Sequence, residues 1–390
     1  MTADPFAPAQ AIADAVLWEG YVLYPYRAGV TKNRMRWQFG VLVPPHYAQA
    51  DGFERAAMTT ECIADPGPGF RVAARVRFLQ CQRRQVEVAG TDGFTRVDEV
   101  DHDGHRVASW DEGVPQSFDV GVGVTPFALS ADHAVEYLDP QTRVVRTRAA
   151  VTGVLRLETK PVDGYVRVCL TIENTTDWGP VGASREEAIV HSAIAAHAIL
   201  HVDHGRFVSS LDPPTDARAA VEACVNDGAF PVLAGDAASA DLMLASPIIL
   251  YDHPEVAPRS PGAMFDGTEI DEMLSLRVMT LTPDEKEWAR DTDPLARALV
   301  DRVETLTPDA LAALHADMLT PQLRVGSRVR LQPSKHRRTD AQDMLVAGMS
   351  ATVKGMFEDL EGAQYIAVVV DGDDDYGRYR YFYPDEIELV

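Results

Sequence analysis

The sequence predicts an α+β multidomain protein in which antiparallel β structure dominates. Short runs of aromatic and β-branched residues alternate with charged ones across the first 178 residues, and Asp-Gly turns separate them. Between 179 and 320 capping residues and apolar stripes of helical period take over, and after 321 five short strands crowd into about 70 residues. The expected domains are an N-terminal antiparallel β-sandwich-like region (1–178), a central mixed α/β region with helical cover (179–320) and a C-terminal small β-barrel (321–390).

In chain order, Gln10 to Glu19 carries apolar side chains at helical spacing. Gly20-Tyr-Val-Leu-Tyr-Pro-Tyr-Arg27 then turns aromatic and extended, with a break at Pro25. Arg34 to Val43 alternates Met35, Trp37 and Phe39 with polar residues, which predicts a strand with one buried face. Phe70 to Gln80 repeats the pattern through Val72, Ala74, Val76 and Phe78. Asp51-Gly52, Asp92-Gly93 and Asp103-Gly104 mark turns, and Gly153–Thr159 with Tyr165–Asn174 reads as a hairpin turning at Asp163-Gly164. Ser184-Arg-Glu-Glu187 has the form of a capping box, which predicts a helix from there to about His201.

Asp216 to Asn226 reads as a short helix, Phe230 to Leu233 as a short strand, and Asp241 to Leu250 as a buried strand. A helix through Met273, Leu276 and Met279 follows, and Thr282-Pro-Asp-Glu285 and Thr307-Pro308-Asp309 open two more. Leu295, Leu299 and Val303, then Leu311 and Leu314, supply their packing stripes. The closing strands fall at Leu323–Leu331, Met349–Phe357, Gln364–Asp371, Tyr379–Phe382 and Glu386–Val390.

Charge narrows the function classes. Fifty-nine acidic against 36 basic side chains give a formal net charge of −23, which repels polyphosphate backbones and argues against nucleic-acid binding. No run approaches the ~18–20 apolar residues of a membrane span, and Met1 to Pro8 lacks an export signal's basic start, so the expectation is a cytoplasmic chain. Cys62, Cys81, Cys169 and Cys224 form no CxxC pair, which argues against a zinc knuckle or a redox dithiol. No G-x-S-x-G elbow or phosphate-cradling GxxxxGK[ST] loop is present, so no catalytic residue is assigned and non-catalysis is favoured.

Ser246 to Glu272 concentrates the candidate chemistry. A buried strand there delivers Tyr251, Asp252, His253 and Glu255 into a loop restricted by Pro247, Pro254, Pro258 and Pro261, and Asp266, Glu269, Asp271 and Glu272 follow. Acidic groups in a first helical turn are stabilised by its exposed amides, a sufficient structural account. The functional alternative joins Asp252, His253, Glu269 and Glu272 as a carboxylate/imidazole set for a divalent metal or a proton relay. A second candidate pair is His197 and His201, four apart and so on one face of the expected helix; packing and surface roles are the alternative. Otherwise no cofactor is expected.

Val325-Gly326-Ser-Arg-Val329-Arg-Leu331 and Gly348-Met-Ser-Ala351-Thr-Val353 resemble SH3-like barrels, notably that of the nitrile hydratase β subunit. This resemblance covers only the C-terminal module and implies fold, not nitrile hydratase activity. Glu19-Gly-Tyr-Val-Leu-Tyr-Pro-Tyr-Arg27, Arg36-Trp-Gln-Phe-Gly-Val-Leu-Val43, the Ser246–Glu272 segment and Leu276-Arg-Val-Met-Thr-Leu281 resemble an uncharacterised bacterial family encoded beside nickel-iron hydrogenase genes. That resemblance implies an accessory, assembly or scaffold role whose partner is a hydrogenase subunit or maturation protein. It carries over no site residue.

Overall fold

The structure is a computed structural model, and it describes residues 4–34, 36–236, 238–255, 262–265, 271–307, 325–332, 346–358, 364–371, 379–383 and 386–389. The chain divides into two compact units, 1–306 and 307–390. The expected boundary at 178/179 falls inside the first unit, because strands from both sides of it belong to one sheet.

A 3-10 turn (Ala7–Ala9) leads into helices α1 (Gln10–Trp18), α2 (Thr31–Arg34) and α3 (Pro45–Asp51). Strands β1 (Ala57–Gly90), β2 (Gly93–Val97), β3 (Glu99–His102), β4 (His105–Ala108), β5 (Trp110–Gly121), β6 (Gly123–Leu129), β7 (Asp132–Asp139), β8 (Thr142–Arg148), β9 (Val151–Val162) and β10 (Tyr165–Asn174) follow. After α4 (Arg185–Ile189) come β11 (Ala193–Phe207), α5 (Arg218–Glu222), β12 (Phe230–Ala234) and β13 (Leu242–Ser246). Helices α6 (Asp271–Thr280), α7 (Pro283–Thr292) and α8 (Pro294–Glu304) close the first unit.

The 34-residue β1 is the spine of an 11-stranded antiparallel sheet. It pairs with β10 through Ala57–Ala64, with β11 from Ala64 to Gln80, with β5 from Ala73 to Arg84, and with β8 and β2 beyond Gln82. The expected run from Phe70 to Gln80 lies within it: Val72, Ala74, Val76 and Phe78 are all buried on one face, as period-2 alternation requires. That face packs against Leu155 and Leu157 of β9 and Leu170 and Ile172 of β10, with Phe78, Phe118 and Phe127 in mutual ring contact. Gly153 is required there, since a Cβ on it would come within 2.3 Å of the Phe127 ring. The expected β9/β10 hairpin forms, with Leu170 facing Leu157, and turns through positive φ at Asp163 and Gly164.

Leu79 and Cys81 point to the opposite face of β1, where a second core forms. Leu17, Tyr21, Tyr26, Trp37 and Trp110 pack there with Leu274, Val278, Leu299 and Val303 of the α6–α8 cover. Two expectations fail on this side. The described part of that expected strand, 36–43, is irregular, because Trp37 and Gly40 hold positive φ (61° and 59°), a conformation outside strand geometry. The capping box at Ser184 and Glu187 forms, but its helix ends at Ile189, and the residues expected to continue it are strand β11. The expected helix through Met273, Leu276 and Met279 forms as α6, and among its described side chains Leu274, Ser275 and Val278 are buried. The central region therefore adds antiparallel strands and a helical layer to the first sheet instead of forming a mixed α/β body of its own.

The second unit is a curled five-stranded half-barrel of β14 (Arg328–Leu331), β15 (Ser350–Glu358), β16 (Gln364–Val370), β17 (Arg380–Phe382) and β18 (Ile387–Leu389), ordered β17-β16-β15-β14-β18. Val329, Leu331, Ala351, Val353, Ile366, Val368 and Phe382 fill it. Leu311 and Leu314 lie outside the described residues. No helix among the described residues is long and apolar enough to cross a membrane.

Candidate functional site

The loop that follows β13 is held by its own polar groups. Asp252 accepts from the Leu233 backbone N–H (2.8 Å) and from the Ser209 hydroxyl, so both carboxylate oxygens are engaged. His253 donates its backbone N–H to Leu233 O (2.7 Å) and sets Nδ1 3.1 Å from Gly235 O, with φ at 53°. Both side chains fasten the loop to the β12 edge. Glu269 and the side chain of Glu272 lie outside the described residues, so the expected four-residue set is not assembled among those that are described.

His197 and His201 sit on β11, where four residues span about 13 Å rather than one helical turn. That separation keeps the two rings from sharing an ion, which corrects the helical pairing. His197 is fully buried, with Nδ1 2.7 Å from Ala195 O, and burial pushes its pKa down to about 4. His201 packs edge-on against Phe6. A different trio, His105, Glu287 and Asp291, brings ligand-type atoms within 4.8 Å of one another. There the Asp291 carboxylate already accepts from the Arg106 N–H at 2.9 Å and lies 3.6 Å from Arg297.

A cleft of about 660 Å³ opens on the second-core side of the sheet, within the size range of small-molecule sites. Its lining includes Arg36, Trp37, Arg83, Arg84, Trp110 and Asp111. The segment that supplies Arg36 and Trp37 is tied down from several sides. Asn33 receives the Leu23 N–H and donates to Leu23 O and Arg27 O, and Trp37 N–H reaches Gly20 O. Gly40 passes so close to β11 that a Cβ would stand 3.0 Å from the Ala196 backbone.

Arg36 is the centre of this arrangement. Its guanidinium carbon stands 3.5 Å from the Trp110 ring centroid, 4.1 Å from that of Trp37 and 5.3 Å from that of Tyr21, an aromatic box around a cation. Nη1 donates to Tyr21 O at 2.8 Å, whereas Nη2 is buried without a partner. The indole N–H groups of Trp37 and Trp110 are buried without acceptors too. Arg36 is only 6% exposed and forms no ion pair among the described residues; its burial lowers its pKa, with Tyr21 and Asp111 opposing. A buried charge lacking a close counter-ion costs several kcal/mol, which the box offsets only in part.

The neighbouring arginines are occupied. Arg83 holds both oxygens of Asp111 (3.1 and 3.3 Å); Arg84 donates to Ala108 O, Thr292 O and Glu112; Arg185 pairs with Glu54 and donates to Trp37 O. Tyr21 donates its hydroxyl to Asp293 at 2.8 Å, and burial together with that carboxylate pushes the phenol pKa up, so it stays protonated. Sequence reasoning passed over Arg36 because it reads as a solvated residue of an alternating strand. The available signal was the density of aromatic residues around it, Tyr21, Tyr24, Tyr26, Trp37 and Phe39, in two segments without catalytic residue types. No protein-family model matches the chain, and no curated protein does.

Proposed function

We propose that this chain is a non-catalytic accessory or scaffold protein that acts by binding, in the cytoplasmic nickel-iron hydrogenase setting its residues resemble, with the Arg36 cleft as its recognition element. One observation carries the binding reading: the cleft is lined by arginines, and Arg36 is a cation in an aromatic box without an ion pair among the described residues. An arginine stays protonated at any working pH, so it recognises charge and does not shuttle protons. The carboxylate best placed to act as a base, Asp111, is clamped on both oxygens by Arg83. The sandwich-like reading of the first sheet and the SH3-like reading of the half-barrel belong to the same proposal, as folds that present surfaces to a partner.

The test is reconstitution from purified components. The full chain, mixed with each hydrogenase subunit and each maturation protein of its own gene cluster, is expected to co-elute with at least one of them in size-exclusion chromatography. Independent elution from every one of them overturns the hydrogenase assignment.

A further inference from the structure

Three metal-ligand side chains meet where the β3/β4 hairpin packs on helix α7. His105 Nδ1 stands 3.4 Å from Asp291 Oδ1 and 3.9 Å from Glu287 Oε1, and the three groups bring ligand atoms within 4.8 Å of one another. Atoms bound to one ion at about 2.0–2.2 Å stand about 3–3.6 Å apart, so a rotamer change of the exposed Glu287 closes the set. Positive φ at Asp103 and Gly104 (54° and 81°) turns the hairpin and places His105 at the start of β4. Glu287 and Asp291, four residues apart, share one face of α7. The Arg106 N–H donates to Asp291 Oδ2 at 2.9 Å, which fixes the neighbouring His105 against that face.

The state of Asp291 points to a cation. Its side chain is only 5% exposed, yet Oδ1 accepts no hydrogen bond among the described residues. Arg297 approaches that oxygen no closer than 3.6 Å and is itself donating to Arg290 O. Arg290, 4.0 Å from Glu287, is occupied by Asp301 and Glu304. Two carboxylates one helical turn apart repel each other, and a buried acceptor left short is costly. A proton on His105 Nδ1 does not answer this, because the ring forms a hydrogen bond with neither carboxylate. A metal ion draws on all three groups at once, taking charge from both carboxylates and the lone pair of the neutral imidazole.

The donor set fixes the class of ion. One imidazole nitrogen with two carboxylates suits zinc and similar transition metals, whereas magnesium and calcium prefer oxygen alone. His105 and Glu287 are 64% and 54% exposed, so an ion can enter from solvent and complete its coordination with water. We infer that His105, Glu287 and Asp291 bind one divalent transition-metal ion of the zinc type, which pins the β3/β4 hairpin to α7. The inference is independent of the Arg36 cleft, and its test needs no hydrogenase component, so the two readings fail or stand separately.

The probe is zinc chloride, titrated calorimetrically into the full chain after removal of metal with a chelator and dialysis, with magnesium chloride as a parallel arm. Zinc is expected to bind saturably and to raise the melting temperature as the site fills. Magnesium at the same concentration is expected to leave the melting temperature unchanged. His105→Ala and Glu287→Gln alter exposed side chains, and each is expected to weaken zinc binding at least about tenfold. Asp291→Asn is left aside because Asp291 also holds the Arg106 N–H. His46→Ala removes another exposed imidazole beside a carboxylate, Asp177 at 3.4 Å, and is expected to leave the affinity unchanged. Absence of zinc binding overturns the inference, as does undiminished affinity in either His105→Ala or Glu287→Gln. Equal stabilisation by magnesium, or an equal loss in His46→Ala, overturns it too, the last by showing adventitious binding to surface histidines.

Discussion

The β13 loop and the Arg36 cleft differ in how their polar groups are satisfied. In the loop, both oxygens of Asp252 and the backbone N–H of His253 find partners within the fold, and the Nδ1 of His253 meets Gly235 O. In the cleft, three donors on three touching side chains find none. A group whose hydrogen bonds are complete inside the protein contributes to stability, whereas a buried donor left short costs free energy. Residue chemistry alone points to the loop; the state of its hydrogen bonds points to the cleft.

The comparison can be strained from both ends. Trp110→Ala removes a buried ring 3.5 Å from the Arg36 guanidinium and leaves a cavity, with an expected loss of about 3–5 kcal/mol in urea denaturation. A loss under about 1 kcal/mol would show that the box is not packed as described. Asp252→Ala strands the Leu233 N–H and the Ser209 hydroxyl and is expected to cost about 2–3 kcal/mol. A loss under about 0.5 kcal/mol would refute the idea that Asp252 clamps two elements.

A smaller effect separates the buried histidine from both regions. Burial holds the folded-state pKa of His197 at about 4, below the ~6.5 of an unfolded histidine, so between those values the unfolded chain binds more protons. Its contribution to stability is therefore complete above about pH 6.5 and is lost as the pH falls toward 4, by about 2 kcal/mol between pH 7 and pH 5. His197→Gln is expected to flatten that part of the stability profile. An unchanged profile in the variant would place the titration elsewhere.

Much of the fold was legible because it depends on local rules. The alternation of Val72, Ala74, Val76 and Phe78, the Asp163-Gly164 turn and the capping boxes at Ser184 and Thr282 all appear where the pattern puts them. The failures arise where the local pattern is overridden. Ala193 to Phe207 is rich in alanine and capped just upstream, yet it pairs with β1 on one side and β13 on the other, and that long-range pairing overrides helix propensity. Arg34–Val43 alternates like a strand, yet positive φ at Trp37 and Gly40 turns the chain so that Arg36 points into the aromatic box. The loop residues drew attention because Asp and His are the usual metal ligands and acid-base groups. Arg36 did not, because an arginine becomes conspicuous only once its burial and its missing partner are visible.

The central claim is that recognition chemistry resides in the Arg36 cleft while Asp252 belongs to the scaffold. The most direct test is calorimetric titration of Arg36→Met and Asp252→Asn, each checked for a cooperative melt, with the hydrogenase component that co-elutes with the unaltered chain. The account predicts that Asp252→Asn binds within about twofold of the unaltered chain and that Arg36→Met binds at least about tenfold more weakly. Undiminished affinity in Arg36→Met, or loss of binding in a folded Asp252→Asn, would contradict it.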